Sequence, residues 1–377
     1  MRYRPLGNTG LNVSQLGFGA MRLPMLADSE PKRIDRDKAI PMIHRAFDGG
    51  VNYIDTAVGY CAGDSQRVVG EAVASWTGRR RDLVISTKNH CYDHDEKAWW
   101  TLLEQSLQRL GVEYIDIYNH HGINWNRYVK DVEPVLSTYM AKARDQGLIR
   151  HICCSFHDNN EGLLKLVQSG YPEVITLQYN MLDRSLEDGI AAAHEAGIGI
   201  VVMGPVAGGR LGADSDVLAE SVPGIARVPE LAMRFVLANP HVSVALSGMS
   251  ERAHVEENLA VCDAQVALGD DDRAAIAEHM GRLQKMAELY CTACGYCMPC
   301  EPAGVGIPAV FGAYNLGRVY GLWDAARAAY AHVARHGEGR NRTAEACTQC
   351  GACEQKCPQN IPIRKQLAEA HDALAAD

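Results

Sequence analysis

The chain has 377 residues, of which 47% are hydrophobic and 22% charged, and its formal net charge is −9. This length and apolar content are sufficient for one large domain or two smaller ones. No basic run indicates nucleic-acid binding, no apolar run is long enough to span a membrane, and no signal sequence opens the chain. We therefore expect a cytoplasmic protein with neither nucleic-acid nor membrane partners.

Short apolar strands alternate with longer amphipathic stretches between about residues 13 and 262, a pattern typical of parallel βα units. Eight such repeats favour an α/β fold of the closed (β/α)8 TIM-barrel type. An open doubly wound sheet ranks second, because GFGAMR only partly matches its G-x-G-x-x-G turn. The strands are predicted at Ser14–Phe18, Tyr53–Thr56, Leu83–Thr87, Ile115–Asn119, His151–Ser155, Val174–Gln178, Ile198–Met203 and Val242–Ser247.

Two features flank this repeat pattern. Residues 1–12 contain N-T-G between short extended pieces, which predicts an N-terminal β-hairpin closing the barrel floor. Within the repeats, a helix is predicted over Ala98–Leu110, with its end at Gly111. Beyond residue 263 the repeats stop, and Asp270–Met286 predicts a connecting helix.

Eight of the 13 cysteines lie in two closely spaced runs near the end of the sequence. The second run has the spacing C-x2-C-x2-C-x3-C-P, typical of paired 4Fe–4S clusters in which each run supplies three ligands to one cluster and a fourth to the other. Structural zinc sites more often use two well-separated C-x2-C pairs, which favours iron. One cluster is assigned to Cys291, Cys294, Cys297 and Cys357, and the other to Cys347, Cys350, Cys353 and Cys300.

The last spacing of the first cysteine run is C-x2-C, one residue shorter than the usual C-x3-C-P. This difference weakens only the assignment of Cys300 as a ligand. The residues between the two runs have helical apolar spacing, so the cluster module is expected to be mainly α-helical. We therefore divide the chain into a barrel over residues 1–268, a connecting helix over 269–290 and a ferredoxin-like two-cluster domain over 291–377.

Polar side chains follow three neighbouring strands of the predicted barrel. Asp55 ends the second strand and Tyr60 lies in the loop after it. Lys88 ends the third strand, and His120 and His121 end the fourth. The C-terminal ends of barrel strands meet at one mouth. There a lysine cation would lower the pKa of a tyrosine, ordinarily about 10, a carboxylate would hold the lysine, and a histidine would orient a carbonyl group.

The segments NYIDTAVGY, VISTK and YIDIYNHH, with the opening YRPLGNTGLNVSQLGFGAMRLP, resemble aldo-keto reductase motifs over about residues 1–262. With both cysteine runs, the chain resembles the branch of that family fused to a C-terminal two-cluster ferredoxin-like domain. The resemblance implies that Tyr60 is the general acid and that Lys88 lowers its pKa. It further implies that Asp55 holds the lysine and that His121, rather than His120, orients the carbonyl.

The resemblance also implies a nicotinamide cofactor, NADPH or NADH, across the barrel mouth. Ser155 and Gln178 would hold its carboxamide, and glycines in the loops would let backbone amides approach its phosphates. The full set of implied contacts is Met21, Asp55, Ser155, Gln178, Pro205, Val206, Gly208, Gly209, Gly248, Glu257 and Asn258.

Three departures from the family pattern leave the choice of cofactor open. Gly248 and His254 stand where NADPH-binding members carry a lysine and an arginine. Met203 replaces an aromatic residue that stacks on the nicotinamide, and Phe156 replaces an asparagine. Weak or absent nicotinamide binding therefore remains an alternative.

These features predict an oxidoreductase that reduces a small aldehyde or ketone, or oxidises the alcohol, and carries two 4Fe–4S clusters. Because a hydride carries two electrons and a cluster one, an alternative is a reductase fed by a ferredoxin or flavoprotein, with nicotinamide secondary or absent. A redox-sensing or binding protein is a third reading, which the complete set of four catalytic groups disfavours. The substrate stays open, although Trp125, Arg127 and Tyr128 could contact a polar or aromatic ligand.

Overall fold

The computed structural model describes residues 1–212, 214–219, 225, 227–263, 269–288, 291, 295, 297–301, 303–336, 342–357 and 361–375. The chain divides into two compact units. The first comprises Met1–Ala207 and Ala232–Leu268, and the second comprises Gly208–Leu231 and Gly269–Asp377. The second unit therefore takes in a segment that leaves the barrel sequence and returns to it. The finer three-part division made from the sequence stays a prediction.

All eight predicted barrel strands are present, and they close into one parallel barrel in the order β3 to β10. This confirms the (β/α)8 fold. Two shorter strands, β1 and β2, pair antiparallel and form the predicted N-terminal hairpin. The strands are β1 (Tyr3–Pro5), β2 (Asn12–Ser14), β3 (Leu16–Gly19), β4 (Tyr53–Asp55), β5 (Val84–Asn89), β6 (Ile115–Ile123), β7 (Ile149–Phe156), β8 (Val174–Gln178), β9 (Gly199–Met203) and β10 (Val244–Gly248).

The hairpin closes the N-terminal end of the barrel. Its buried side chains Leu6 and Val13 belong to one apolar cluster with the residues that begin several barrel strands, among them Tyr53 and Val84. The Arg4 guanidinium donates to the Val242 carbonyl oxygen at 2.5 Å, and so ties the hairpin to the entry of β10. Closure of this end leaves the C-terminal ends of the strands as the open mouth of the barrel.

Helices follow the strands, as the alternating pattern predicted. The predicted helix ending at Leu110 begins at Glu96, because the Asp95 side chain accepts the Ala98 amide, and it stops at Gly111 with φ of 64°. A π-helix over Tyr128–Leu136 joins α4 to α5. The α-helices of the first unit and the intervening segment are α1 (Arg36–Asp48), α2 (Ser65–Ser75), α3 (Glu96–Leu110), α4 (Trp125–Arg127), α5 (Ser137–Asp145), α6 (Asn160–Gln168), α7 (Glu187–Glu195), α8 (Asp216–Ala219), α9 (Val228–Ala238) and α10 (Arg252–Asp263).

The C-terminal part of the chain is mainly helical, as predicted. Its apolar core includes Val310, Phe311 and Leu367, together with the cysteines Cys297 and Cys353. Of the helices in the described residues, none is both long and apolar enough to cross a membrane. The helices are α11 (Asp270–Glu288), α12 (Ile307–Arg318), α13 (Trp323–His336), α14 (Ala352–Gln355) and α15 (Ile363–Leu374).

The segment Gly208–Leu231 is held by hydrogen bonds within the second unit. Ser215 Oγ donates to the Tyr320 carbonyl oxygen at 2.7 Å, in the turn between α12 and α13. His279 Nε2 on α11 lies 2.8 Å from the Val217 carbonyl oxygen. The connection that follows β9 therefore packs with the C-terminal helices.

This packing can be tested at Gly321, which has φ of +67° and where a Cβ would lie 2.7 Å from Ser215 Oγ. Gly321→Ala should lower the free energy of unfolding by at least about 1–2 kcal/mol, because an L-residue is strained in the left-handed region. The matched control is Gly312→Ala on α12, where a Cβ would meet nothing within 4 Å. It should raise stability by up to about 1 kcal/mol, because alanine favours the helix. Equal effects of the two changes in urea unfolding followed by circular dichroism would contradict this account.

Candidate functional sites

A buried ion pair joins β4 and β5 near their C-terminal ends. Lys88 and Asp55 are 1% and 4% exposed, and Lys88 Nζ lies 2.5 Å from Asp55 Oδ2. The same ammonium donates to the Thr56 carbonyl oxygen at 2.9 Å. Burial lowers the pKa of Lys88, but Asp55 and Tyr60 more than offset this and raise the pKa above its ordinary value. Lys88 is therefore a fixed cation at the barrel mouth.

A line of buried hydrogen bonds fixes the other carboxylate oxygen of Asp55. Ser86 Oγ donates to Asp55 Oδ1 at 2.9 Å. Asn119 Nδ2 on β6 donates to Ser86 Oγ at 3.0 Å, and Thr176 Oγ1 on β8 donates to Asn119 Oδ1 at 3.4 Å. Because each of these groups has a partner, the carboxylate keeps one orientation.

Tyr60 begins a 3-10 turn over Tyr60–Gly63, and Lys88 Nζ lies 4.7 Å from the centroid of its ring. The next two residues, Cys61 and Ala62, have φ of 50° and 55°, a left-handed conformation that residues with a Cβ rarely adopt. Burial raises the pKa of Tyr60 more than the Lys88 cation lowers it, and Asp55 raises it further. Lys88 thus lowers the pKa of Tyr60, as expected, but the loss of hydration outweighs the lysine.

His121 lies beside Tyr60, with ring centroids 6.2 Å apart and planes at 82°. Burial, followed by the Lys88 cation and by the electrostatic influence of His157 and His90, lowers the pKa of His121 to about 4. Near pH 7 the ring is therefore neutral, and it can hydrogen-bond to a ligand oxygen without carrying a charge.

His120, the neighbouring histidine, points into different surroundings. It is 1% exposed, and its Nε2 lies 2.8 Å from the Tyr171 hydroxyl. Burial lowers the pKa of His120 to about 3. The structure thus brings Asp55, Lys88, Tyr60 and His121 together, and gives His120 a packed position.

Ser155 and Gln178 are the two residues expected to hold a carboxamide. Ser155 is the residue before the last of β7, and Gln178 is the last of the paired strand β8. Gln178 is exposed, whereas Ser155 is 1% exposed. Within the described part of the chain, the buried Ser155 Oγ has no hydrogen-bond partner. Buried hydroxyl groups are normally paired, so a polar group of a ligand fits here.

The other residues expected to contact a cofactor lie in loops and at the ends of elements. Gly208 and Gly209 have φ of 69° and 100°, so neither position suits a residue with a Cβ. Asn258 Nδ2 donates to Ser247 Oγ at 2.9 Å, which fixes the middle of α10 to the end of β10. The remaining positions follow β3 (Met21), follow β9 (Pro205 and Val206), end β10 (Gly248) and lie on α10 (Glu257).

The structure shows the neighbours of three positions that depart from the family pattern, Gly248, His254 and Phe156. A Cβ at Gly248 would lie 3.0 Å from Arg22 Cγ, so the Arg22 side chain takes the space that a larger residue would need. His254 is exposed, and its Nδ1 accepts the Ser250 amide at 3.4 Å. Phe156, at the end of β7, is fully buried.

Cysteines from both runs line one cavity of about 160 Å³ in the second unit. Cys300 from the first run faces it together with Cys347, Cys350 and Cys353 from the second, and Cys297 also contributes. Burial, followed by the neighbouring Cys300 thiol, raises the pKa of Cys353. This set contains the four cysteines assigned to one cluster from the sequence.

Of the four ligands predicted for the other cluster, the structure describes three, and one of these, Cys297, lines the same cavity. Cys291 and Cys357 pack against the core of this unit, and Cys294 lies outside the described residues. Among the side chains that are described, no three His, Cys, Asp or Glu groups converge as they would on a single metal ion. A cavity lined by sulfur donors suits a larger body such as an iron–sulfur cluster, and the residues present fit it.

Comparisons with known proteins agree with both sites. A model described as the Aldo/keto reductase family matches residues 15–217, which is more than half of the chain. The chain belongs to the aldo/keto reductase family. A second model, described as a 4Fe-4S dicluster domain, matches residues 288–361. Together these matches confirm the fused family branch and the iron–sulfur domain expected from the sequence.

The similarity to individual relatives extends over most of the length of each relative. L-galactose dehydrogenase of Arabidopsis thaliana is 28% identical over 295 residues, covering 71% of this chain and 90% of that protein. The NADH-specific methylglyoxal reductase of Escherichia coli is 26% identical over 337 residues, covering 76% and 100%. The solved holo form of an aldo-keto reductase from Bacillus halodurans is 28% identical, with a TM-score of 0.64, covering 74% and 96%.

Sequence reasoning did not single out the supporting hydrogen bonds of the reductase site. Ser86 stands two residues before Lys88, and alternate residues of a strand share one face. That spacing is the signal that could have identified Ser86. Asn119 is harder to identify, because the two histidines that follow it in the same strand are more obvious candidates for a functional role.

The buried state of His120 predicts a specific pH dependence of stability. Its pKa is about 3 when folded, so the unfolded chain, with a histidine pKa of about 6.5, binds more protons and stability falls as the pH drops through this window. Between pH 7.5 and 5, the free energy of unfolding of the wild type should fall by about 2 kcal/mol more than that of His120→Gln. His254→Gln, which removes an exposed histidine, is the control. Parallel urea-unfolding curves for wild type and His120→Gln across this range would contradict the assignment.

Proposed function

We propose that this chain reduces a small aldehyde or ketone, or oxidises the corresponding alcohol, with a nicotinamide cofactor and with Tyr60 as general acid. One observation carries the proposal: the Tyr60 ring lies 4.7 Å from a lysine cation that is itself paired with a buried carboxylate. A phenol, a fixed cation and a neutral imidazole beside them form a proton-donating group for a carbonyl oxygen.

When bound, a reduced nicotinamide supplies a hydride to the carbonyl carbon. Tyr60 donates its hydroxyl proton to the carbonyl oxygen, which becomes the alcohol. The raised pKa of Tyr60 keeps the phenol protonated near neutral pH, and therefore ready to act as an acid. The Lys88 cation stabilises the phenolate that remains, an interaction stronger after proton transfer than before it.

His121 orients the carbonyl group in this proposal. Because the pKa of His121 is about 4, the ring is neutral and does not compete with Tyr60 as the proton donor. A neutral imidazole can still donate one hydrogen bond to the carbonyl oxygen. Orientation and proton donation are therefore divided between two neighbouring side chains.

The unpartnered Ser155 hydroxyl supports nicotinamide binding, since it would be satisfied by a carboxamide. Gln178 on the next strand would provide the second contact. We leave the choice between NADH and NADPH open, although the relative from Escherichia coli is named as specific for NADH. Arg22, which lies against Gly248, is the basic side chain beside the position of the missing lysine.

Replacing Tyr60 by Phe should lower kcat by about 100-fold to 10,000-fold, because the proton donor is lost. Nicotinamide binding, measured by fluorescence titration, should be unchanged. The control is Tyr3→Phe, which removes a hydroxyl that donates to the Gly50 carbonyl oxygen beside the hairpin. Unchanged turnover of Tyr60→Phe would refute the assigned role.

We further propose that residues 291–377 hold two 4Fe–4S clusters, with the crossed ligand assignment made from the sequence. The meeting of Cys300 with three cysteines of the second run around one cavity supports that crossing. A separate connecting helix over residues 269–290 and a barrel over 1–268 complete the proposed domain division.

Protein purified without oxygen should contain roughly eight irons and eight sulfides per chain. Cys353→Ser and Cys300→Ser should each lose the same one of two cluster signals in electron paramagnetic resonance. Cys262→Ala, a change at a buried cysteine of the barrel, should keep both signals. Loss of different signals by the two cluster variants would overturn the crossed assignment.

The exposure of Cys350 favours an electron-transfer role for this cluster. Cys350 is exposed, whereas Cys353 on the nearby helix α14 is buried, so one edge of the cluster would face solvent. A ferredoxin or a flavoprotein could then exchange electrons one at a time, with nicotinamide secondary or absent. Turnover with reduced ferredoxin but without nicotinamide would support this alternative over the nicotinamide-dependent reaction.

A further inference from the structure

Arg127, the last residue of the short helix α4, is held against Gly122, the residue that follows the candidate catalytic histidine. Its guanidinium carbon lies 4.6 Å from the centroid of the Tyr92 ring, and Nη1 donates to the Gly122 carbonyl oxygen at 2.9 Å. The Tyr92 hydroxyl in turn donates to the His121 carbonyl oxygen at 2.8 Å. The cation is thus attached to the segment that carries His121.

The charge of Arg127 is not neutralised by the carboxylates on this side of the barrel. Across the described part of the chain, no ion pair includes Arg127. Asp131 faces His94 Nε2 at 3.1 Å, and Asp158 accepts the Trp125 amide at 3.0 Å. Arg127 itself is exposed.

The guanidinium has more donors than its observed role requires. It presents five N–H donors, and the hydrogen bond to Gly122 uses one of its terminal nitrogens. Arginine binds carboxylates through two parallel hydrogen bonds, and its charge is permanent. The stacked rings of Trp125 and Tyr128, 5.3 Å apart, lie on the same short helix and the residue after it. The Tyr128 ring is buried, whereas Trp125 is partly exposed, so a carboxylate attached to an apolar or aromatic body matches Arg127 and Trp125.

We propose that Arg127 binds a carboxylate of the substrate, so that the preferred substrates are anionic aldehydes or ketones. The inference rests on the proposed function and adds the substrate class to it. The alternative is that Arg127 only clamps the irregular end of β6, where the register shifts between His120 and Ile123 and Gly122 has φ of 77°. If Arg127 only holds the end of β6, its loss should lower the activity toward charged and neutral substrates equally, so the two roles can be distinguished.

The test uses two aldehydes that differ in charge, 4-formylbenzoate and its methyl ester. The wild type should show at least a 10-fold higher kcat/KM for the acid. Arg127→Gln should lower kcat/KM for the acid by about 10-fold to 100-fold, mainly through KM, because hydrogen bonds to charged groups contribute about 1.5–3 kcal/mol. The value for the ester should change by less than about 3-fold, since the ester lacks the charge that Arg127 recognises.

The matched control is Arg150→Gln, at the opposite, N-terminal end of β7. Arg150 also stacks on a tyrosine, with its guanidinium carbon 4.3 Å from the Tyr114 ring centroid. It should leave both kcat/KM values unchanged. Arg127→Lys should recover part of the preference for the acid, because it keeps the charge and loses the planar pair of donors.

An equal loss for acid and ester in Arg127→Gln, or no preference in the wild type, would overturn the inference and leave the proposed function standing. Failure to reduce either aldehyde would count against the proposed function instead. In that case calorimetric titration with 4-(hydroxymethyl)benzoate and its methyl ester still decides the inference. Binding of the acid that Arg127→Gln weakens would support the carboxylate site, and binding that is equal in both proteins would refute it.

Discussion

The buried ion pair between Lys88 and Asp55 is the interaction on which the reductase site depends. Moving two charges out of water costs several kcal/mol for each ion, so a buried pair persists only where its remaining hydrogen-bonding groups are satisfied. Here the lysine also donates to a backbone carbonyl, and Ser86 donates to the free carboxylate oxygen. This arrangement requires β4 and β5 to pair with Asp55 opposite Ser86, as they do. The register between β4 and β5 therefore also determines the position of the Lys88 cation.

One cation then acts on two neighbouring groups with opposite chemical consequences. The positive charge of Lys88 favours the phenolate of Tyr60 and disfavours the imidazolium of His121, so it lowers both pKa values. Burial acts against the charged form of each ring, which raises the pKa of the phenol and lowers that of the histidine further. Near pH 7 both rings are therefore neutral, and only the phenol has its charged form stabilised by the lysine. Because the pKa values of these adjacent groups differ so widely, one can act as the acid while the other orients the substrate.

The sequence was most informative where a pattern of apolar and polar residues repeats along the chain. Eight apolar strands followed by helices were sufficient to predict the barrel, and Val174–Gln178 even has the predicted bounds. The approach of Tyr60, Lys88 and Asp55 was predictable because strand ends share one mouth. The net direction of the Tyr60 pKa was not, since it depends on how much water the folded loops exclude. The hydrogen bond from Tyr92 to the His121 carbonyl oxygen was also beyond sequence reasoning, because it joins the loop after β5 to the end of β6.

The two units are also interleaved along the chain, which the cysteine pattern did not reveal. Gly208–Leu231 follows β9 and precedes most of α9, yet it belongs to the compact unit that carries the cysteines. Its attachments are a serine hydroxyl on a backbone carbonyl and a histidine on another. Such specific polar contacts between distant segments leave no periodic trace in a sequence. The compact unit that carries the cysteines therefore includes a segment that the βα repeat would assign to the connection after β9.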